Sequence, residues 1–160
     1  PLFKELIKNK SNYLPITDLG MTRFSITLEQ GINFVLKSFF RMKGGELFIP
    51  KLPSLSIKDL ANCMAPRKKI KIIGVRPGEK IHEIMFSYDD SRNTIEFNDH
   101  YVVIPTIDFQ KNINYFNNNL KEKGKKLKIL FEYNSGTNNF FLKQGGIKKL
   151  LRGINKSDTL

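Results

Sequence analysis

The sequence has 160 residues, 40% of them hydrophobic, and a formal net charge of +12 at neutral pH. That length supports one domain with a real hydrophobic core. No run approaches the ~20 apolar residues that span a bilayer, and no signal-peptide pattern opens the chain. The single cysteine, Cys63, excludes an internal disulfide framework and suits a reducing compartment, so the expected location is the cytoplasm.

Leu2, Phe3, Leu6 and Ile7 recur at helical spacing from the first residues onward, which predicts a helix over 2–9 and makes the chain read as a piece of a longer protein. Tyr13–Thr17 is a short extended stretch in which Pro15 excludes a central strand position. Thr27 and Gln30 have capping-box spacing, and Leu28, Ile32, Val35, Leu36, Phe39 and Phe40 fall on one face of a helix running to about Met42. Gly44-Gly45 stops it before a strand over 46–50. Ser56 caps a second helix with a stripe of Ile57, Leu60, Ala61 and Met64.

Ile70–Val75 is rich in β-branched residues and reads as a strand. Arg76 stands at its end, Pro77-Gly78 makes a turn, and Glu79–Phe86 reads as a short helix. Two strands follow, near 94–97 and 101–104. Beyond residue 108 the sequence turns Asn- and Lys-rich, with a late helix at Gly146–Leu151. The expected organisation is α/β: a binding domain over 1–108, a small mixed sheet with helices, and an extended arm over 109–160.

Catalytic signals are sparse. His82 and His100 have no Cys or second His at metal-ligand spacing, no Tyr-x-x-x-Lys pair occurs, and no Gly-rich phosphate turn follows a strand. The anion-binding signals are stronger. A guanidinium at Arg76 and a carboxylate at Glu79 flank a turn, where a fork and a diol acceptor can face one space. On spacing alone, a surface ion and a helix-dipole partner explain the same two residues equally well. Arg23, in Thr22-Arg23-Phe24, has a second reading as a stem packed over Phe24. Arg41 at a helix C-terminus is accounted for by the helix dipole. Residues 109–160 hold eleven Lys/Arg against three Asp/Glu, +8 of the net charge, and a Lys-rich run without interleaved aromatics reads as solvated surface.

Three stretches are specific. Leu14-Pro15-Ile16-Thr17-Asp18 with Met21-Thr22-Arg23-Phe24, then Gly45–Lys51, then Ile73-Gly74-Val75-Arg76-Pro77-Gly78-Glu79-Lys80-Ile81-His82-Glu83 resemble the soluble UDP-N-acetylglucosamine 4,6-dehydratases, as does the later Phe131–Asn138. The resemblance covers nearly the whole chain and is strongest to the 5-inverting enzymes that begin pseudaminic acid synthesis. It implies the C-terminal part of an extended short-chain dehydrogenase, with the Rossmann half, NADP and the catalytic residues lying outside this chain. It also implies that Arg76 and Arg23 face the diphosphate of UDP-N-acetylglucosamine, that Glu79 holds the ribose, that Leu14, Pro15, Ile16 and Thr17 contact the uracil, and that Met21 lies nearby. On this reading the chain alone is inactive and its arm docks on a neighbouring subunit of a homo-oligomer. The competing reading is a nucleic-acid or anionic-surface module built on Lys121–Lys128.

Overall fold

Thr27 and Ser56 begin the two helices that the sequence marks most clearly, and both act through their hydroxyls. Thr27 accepts the Gln30 N–H while the Gln30 side chain accepts the Thr27 N–H; Ser56 accepts the N–H of Asp59. In the computed structural model, which describes residues 2–107 and 113–157, with side chains through 153, the chain runs α1 (Leu2–Lys8), β1 (Tyr13–Ile16), β2 (Thr22–Phe24), α2 (Leu28–Arg41), β3 (Leu47–Pro50), β4 (Ser54–Ser56), α3 (Ile57–Met64), β5 (Lys69–Ile72), β6 (Ile84–Phe86), β7 (Thr94–Glu96), β8 (His100–Val103), β9 (Lys125–Lys126), β10 (Tyr133–Asn134) and α4 (Gln144–Ser157). It is a mixed α/β chain with several small sheets, as the alternating pattern predicts.

The chain divides into two compact units. The first comprises residues 1–25, 53–83 and 135–160. Here β1 and β5 pair in parallel, and β2 and β4 pair antiparallel. Leu14 and Ile16 of β1 bury one face against Ala61 of α3, with Phe3, Leu6 and Ile7 of α1 packed around them. Pro15 is tolerated because the sheet has only two strands. Ser54 is fully buried, bonding through its backbone to Phe140 and Leu142, and Ile147 of α4 is fully buried too.

The second unit comprises residues 26–52 and 84–134. Its four-stranded antiparallel sheet has the order β3-β8-β7-β9, with Ile95, Phe97 and Val102 at its core. Tyr133 exchanges hydrogen bonds with the Leu52 backbone inside an aromatic cluster with Phe86, Tyr101 and Phe131. The lysine-rich run is partly structure: Lys125 and Lys126 pair with Glu96 and Ile95. Gly124 lies so close to Ile95 that an added Cβ would sit 2.4 Å from its Cγ2.

Five expectations need correction. Residues 79–83 are irregular and 84–86 are strand, so the helix over Glu79–Phe86 does not form; backbone bonds from Thr22 N–H to Ile81 O and from Ser135 N–H to Glu83 O claim the groups that a helix would use. The strand over 70–75 ends at Ile72, and the late helix is longer than expected. The described part of 109–160 does not form a separate arm, since 113–134 belongs to the second unit and 135–157 to the first. The boundary expected at 108–109 lies outside the described residues.

Arg41 is the fifth correction. Its side chain is 1% exposed, not a surface charge completing a helix dipole. Nε and Nη2 donate to Glu122 (2.7 and 2.9 Å), and Nη2 also donates to both Asp99 oxygens (2.9 and 3.0 Å). Burial lowers the Arg41 pKa, but its carboxylate hydrogen bonds outweigh that and raise it. Burial pushes Asp99 up, yet hydrogen bonds from His100 and Arg41 hold it below the ordinary range. The Arg41 hydrogen bond depresses Glu122. His100, fully buried and stacked on Phe97 at 4.6 Å, is pushed down by burial despite its bond to Asp99.

Asp99, Glu122 and His100, all lowered, each favour the folded state above their unfolded pKa and lose that contribution as pH falls. Urea unfolding should therefore show stability declining first below about pH 6.5 through His100, then below about pH 4 through Asp99 and Glu122. Arg41→Leu should cost about 2–3 kcal/mol at neutral pH, less than a fully buried pair because both carboxylates keep solvent on one side, and should flatten the second step. A midpoint that stayed constant over this acid range would show that the network contributes nothing.

Candidate functional site

Glu79 is half-buried after the Pro77-Gly78 turn, which closes with Glu79 N–H donating to Arg76 O at 3.0 Å. Gly78 (φ 80°) and Gly74 (φ 82°) adopt the left-handed conformation that gives this loop its bends. Thr17, at the end of β1, donates its hydroxyl to Glu79 Oε1 (2.9 Å), and the Arg76 N–H donates to Oε2 (3.3 Å). Each carboxylate oxygen keeps a lone pair, so Glu79 is aligned while still able to accept two more hydrogen bonds. The Arg76 side chain is exposed beside it. A carboxylate and a cation are thus offered from one short loop, the pairing that a diol and an adjacent phosphate call for.

Arg23 secures the far end of the same loop. Its Nη1 donates to Thr22 O (2.7 Å) and Ile81 O (3.1 Å), Nη2 donates to Lys80 O (2.9 Å), and Nε pairs with Glu83 at 3.2 Å. Three of its five N–H groups donate to carbonyls, and Nε is ion-paired with Glu83.

A second fastening joins residues far apart in sequence. Buried Ser135 accepts the Glu83 N–H at 2.9 Å, and its own proton finds an acceptor, among the described residues, at Thr22 Oγ1 (2.7 Å). Thr22 then donates to His82 Nδ1 at 2.8 Å. This proton order makes neutral His82 the Nε2–H tautomer, with the ring exposed to solvent. Gly136 packs on that ring so closely that a Cβ would lie 2.6 Å from Nδ1.

Of the residues expected to bind, the structure brings Thr17, Arg76 and Glu79 together. Leu14 and Ile16 cannot offer their side chains to a uracil, because β1 alternation turns both into the core. Pro15 is half-buried on the other face, where Tyr13 carries Lys71 over its ring at 5.1 Å. Met21 is buried, with its carbonyl bonded to Ile57. Thr22, His82, Ser135 and Gly136 were not singled out for any role; the Thr22–Ser135 contact spans 113 positions, and no local spacing reports it. Among the described residues, no group of His, Cys, Asp and Glu could hold a metal ion, and no helix is long and apolar enough to cross a membrane.

The chain is 50% identical, over 99% of its length, to the UDP-N-acetylglucosamine 4,6-dehydratase (inverting) of Campylobacter jejuni subsp. jejuni serotype O:2, and 49% identical to the protein of that name from serotype O:23/36. It covers 47% of each, so it spans about half the length of the curated relatives that it matches. The X-ray structure of Pen from Bacillus thuringiensis superposes with a TM-score of 0.77 at 29% identity, over 97% of this chain and 45% of that one. The family model described as polysaccharide biosynthesis protein matches residues 1–105, most of the sequence, and the chain belongs to that family.

Proposed function

We propose that this chain grips the UDP part of UDP-N-acetylglucosamine, as the sugar-nucleotide-binding portion of an NADP-dependent, C5-inverting 4,6-dehydratase. The observation that carries the reading is the convergence of Thr17, Arg76 and Glu79, from a strand end and a loop 62 residues away. Glu79 accepts the two ribose hydroxyls while Thr17 holds its carboxylate in plane. Arg76 sets its fork on the diphosphate. Arg23 keeps residues 80–83 in place. Leu14–Thr17 meet the uracil through backbone groups and the outward edge of Pro15. The described residues offer no glycine turn running from a strand into a helix N-terminus, so they do not fit NADP, which is assigned with the reacting groups to the half of the relatives that this chain does not span. The product, a 4-keto-6-deoxy UDP-sugar, feeds surface-glycan synthesis of the pseudaminic acid type; the family's description supports the coarser part of this, polysaccharide biosynthesis.

In a full-length enzyme, Arg76→Lys should raise KM, because an ammonium cannot reproduce a bidentate fork on phosphate. Losing such a contact costs about 1.5–3 kcal/mol, a drop in kcat/KM of roughly 10- to 100-fold. Glu79→Gln should do less, since the amide keeps one acceptor. Both variants should retain kcat at saturation and bind UDP more weakly. A collapse of kcat with unchanged UDP inhibition would place these residues in the chemical step instead.

Gly136→Ala should displace His82 and loosen residues 80–83, weakening UDP inhibition while leaving kcat near normal. Nitrogen NMR of the parent chain should show Nδ1 of neutral His82 unprotonated and Nε2 protonated; the opposite tautomer would break the proposed proton order. The 160-residue chain by itself should bind no NADP in calorimetry and form no 4-keto product.

A further inference from the structure

The apolar stripe of α2 faces solvent. Leu28 is 81% exposed, Phe39 71%, Val35 65%, Phe40 63%, Leu36 54% and Ile32 52%. The helix touches its own unit through a different face: Phe34 stands edge-on to His100 at 6.3 Å, and Arg41 is sealed between Asp99 and Glu122. Phe34, Ser38 and Arg41 follow one another at helical spacing on that inner face. The six residues therefore lie on the other face, each more than half exposed, and an open groove over Ile26, Leu28, Gly31, Ile32 and Val35 continues the same surface. A contiguous row of large apolar side chains, each more than half exposed, is the kind of patch that marks an interaction surface.

We infer that this face of α2 is the seat of the polypeptide that makes up the other half of the relatives' length. Two observations choose that occupant over a second copy of the chain. The relatives carry as much sequence again beyond what this chain covers. A segment on the same polypeptide meets α2 at the millimolar effective concentrations typical of short linkers, which a free second copy reaches only in concentrated solution. The surface is also ready before its partner arrives. A capping box fixes one end of the helix, the Arg41 ion pairs fix the other, and the two Phe rings of Phe39 and Phe40 already stand edge-to-face at 6.3 Å. Docking onto a helix held in this way orders few new torsions, which lowers the entropic cost of burying it.

The inference concerns assembly, not the UDP grip, and its test reads neither KM nor UDP affinity. Cysteine replaces Val35 in a Cys63→Ser background, and maleimide labelling is timed in the 160-residue chain and in a polypeptide of the relatives' full length that contains it. Labelling should be fast in the 160-residue chain at every concentration and at least 100-fold slower in the longer polypeptide. Equal rates in the two would overturn the inference. So would protection that grows with concentration of the 160-residue chain, which would mean a second copy, or protection that appears only with phospholipid vesicles, which would mean a lipid surface. Phe39→Asp supplies an independent reading. It should leave the unfolding midpoint of the 160-residue chain unchanged and lower that of the longer polypeptide by several degrees; equal shifts in both would mean that Phe39 packs within this chain.

Discussion

A guanidinium that is almost wholly removed from water needs its charge matched by carboxylates within hydrogen-bond reach. In the second unit this requirement governs Arg41, and through it the rotation of a whole helix. Asp99 and Glu122 meet Arg41 from two different segments, with Asn118 donating to Glu122 behind them. Once Arg41 is placed, helical geometry turns Ser38 and Phe34 toward the unit and the apolar residues away from it. The helix thus gives its inward position to a charge and keeps its hydrophobic residues outward. That arrangement is unfavourable for a chain meant to stand alone, and it is the expected one for a helix with a second surface to cover.

The first unit works under a different constraint. Residues 73–83, the stretch with the strongest chemical signals, include no regular element. A binding loop gains freedom to approach a ligand from that irregularity, but its side chains must still be held in place if binding is not to be spent on ordering them. Groups outside the loop do the holding, among them the Thr17 hydroxyl on Glu79, the Arg23 guanidinium on the carbonyls of Lys80 and Ile81, the Thr22 backbone on Ile81, and Ser135 on Glu83. Three of these lie within β2, which is paired with β4, or at the end of β1, which is packed by the Leu14–Ile16–Ala61 core. Core packing thereby fixes the geometry of a loop that makes few packing contacts of its own.

Much of this was legible in the sequence, and the boundary of legibility has a physical cause. The caps of α2 and α3 are local, written into Thr27–Gln30 and Ser56–Asp59, and both helices form where the spacing predicts. The two strands expected near 94–97 and 101–104 likewise form close to those positions, as β7 and β8. Periodicity located the apolar face of α2 but could not report which way it points, because that depends on Asp99 and Glu122, 58 and 81 residues away. The segment 79–86 failed as a helix for the same reason: its competitors for hydrogen bonds, Thr22 and Ser135, are remote. In the candidate site, residue types pointed to Arg76 and Glu79, whereas the altered reading of Arg23 required seeing where its N–H groups go.

Perturbed ionisable groups often mark active sites, and here they mark something else. Burial raises Tyr133 and pushes Tyr101 up to about 12, with Glu96 adding to the Tyr101 shift; Asp99, His100 and Glu122 are shifted within the Arg41 network. All of these lie in the second unit, and each shift is explained by burial or by a named internal partner. Tyr133 is bonded to the Leu52 backbone, and Tyr101 lies under Lys51 at 4.9 Å. A phenol held that high is a poor proton donor near neutrality, and a carboxylate already shared with a guanidinium is a poor base. The shifted groups therefore hold strands together. Gripping a nucleotide asks for a different pair, a fixed cation and a carboxylate acceptor, neither of which has to exchange a proton. The loop carrying Arg76 and Glu79 offers that pair, so the chain's electrostatics divide into a structural network in one unit and, in the other, the cation and carboxylate to which we assign the nucleotide.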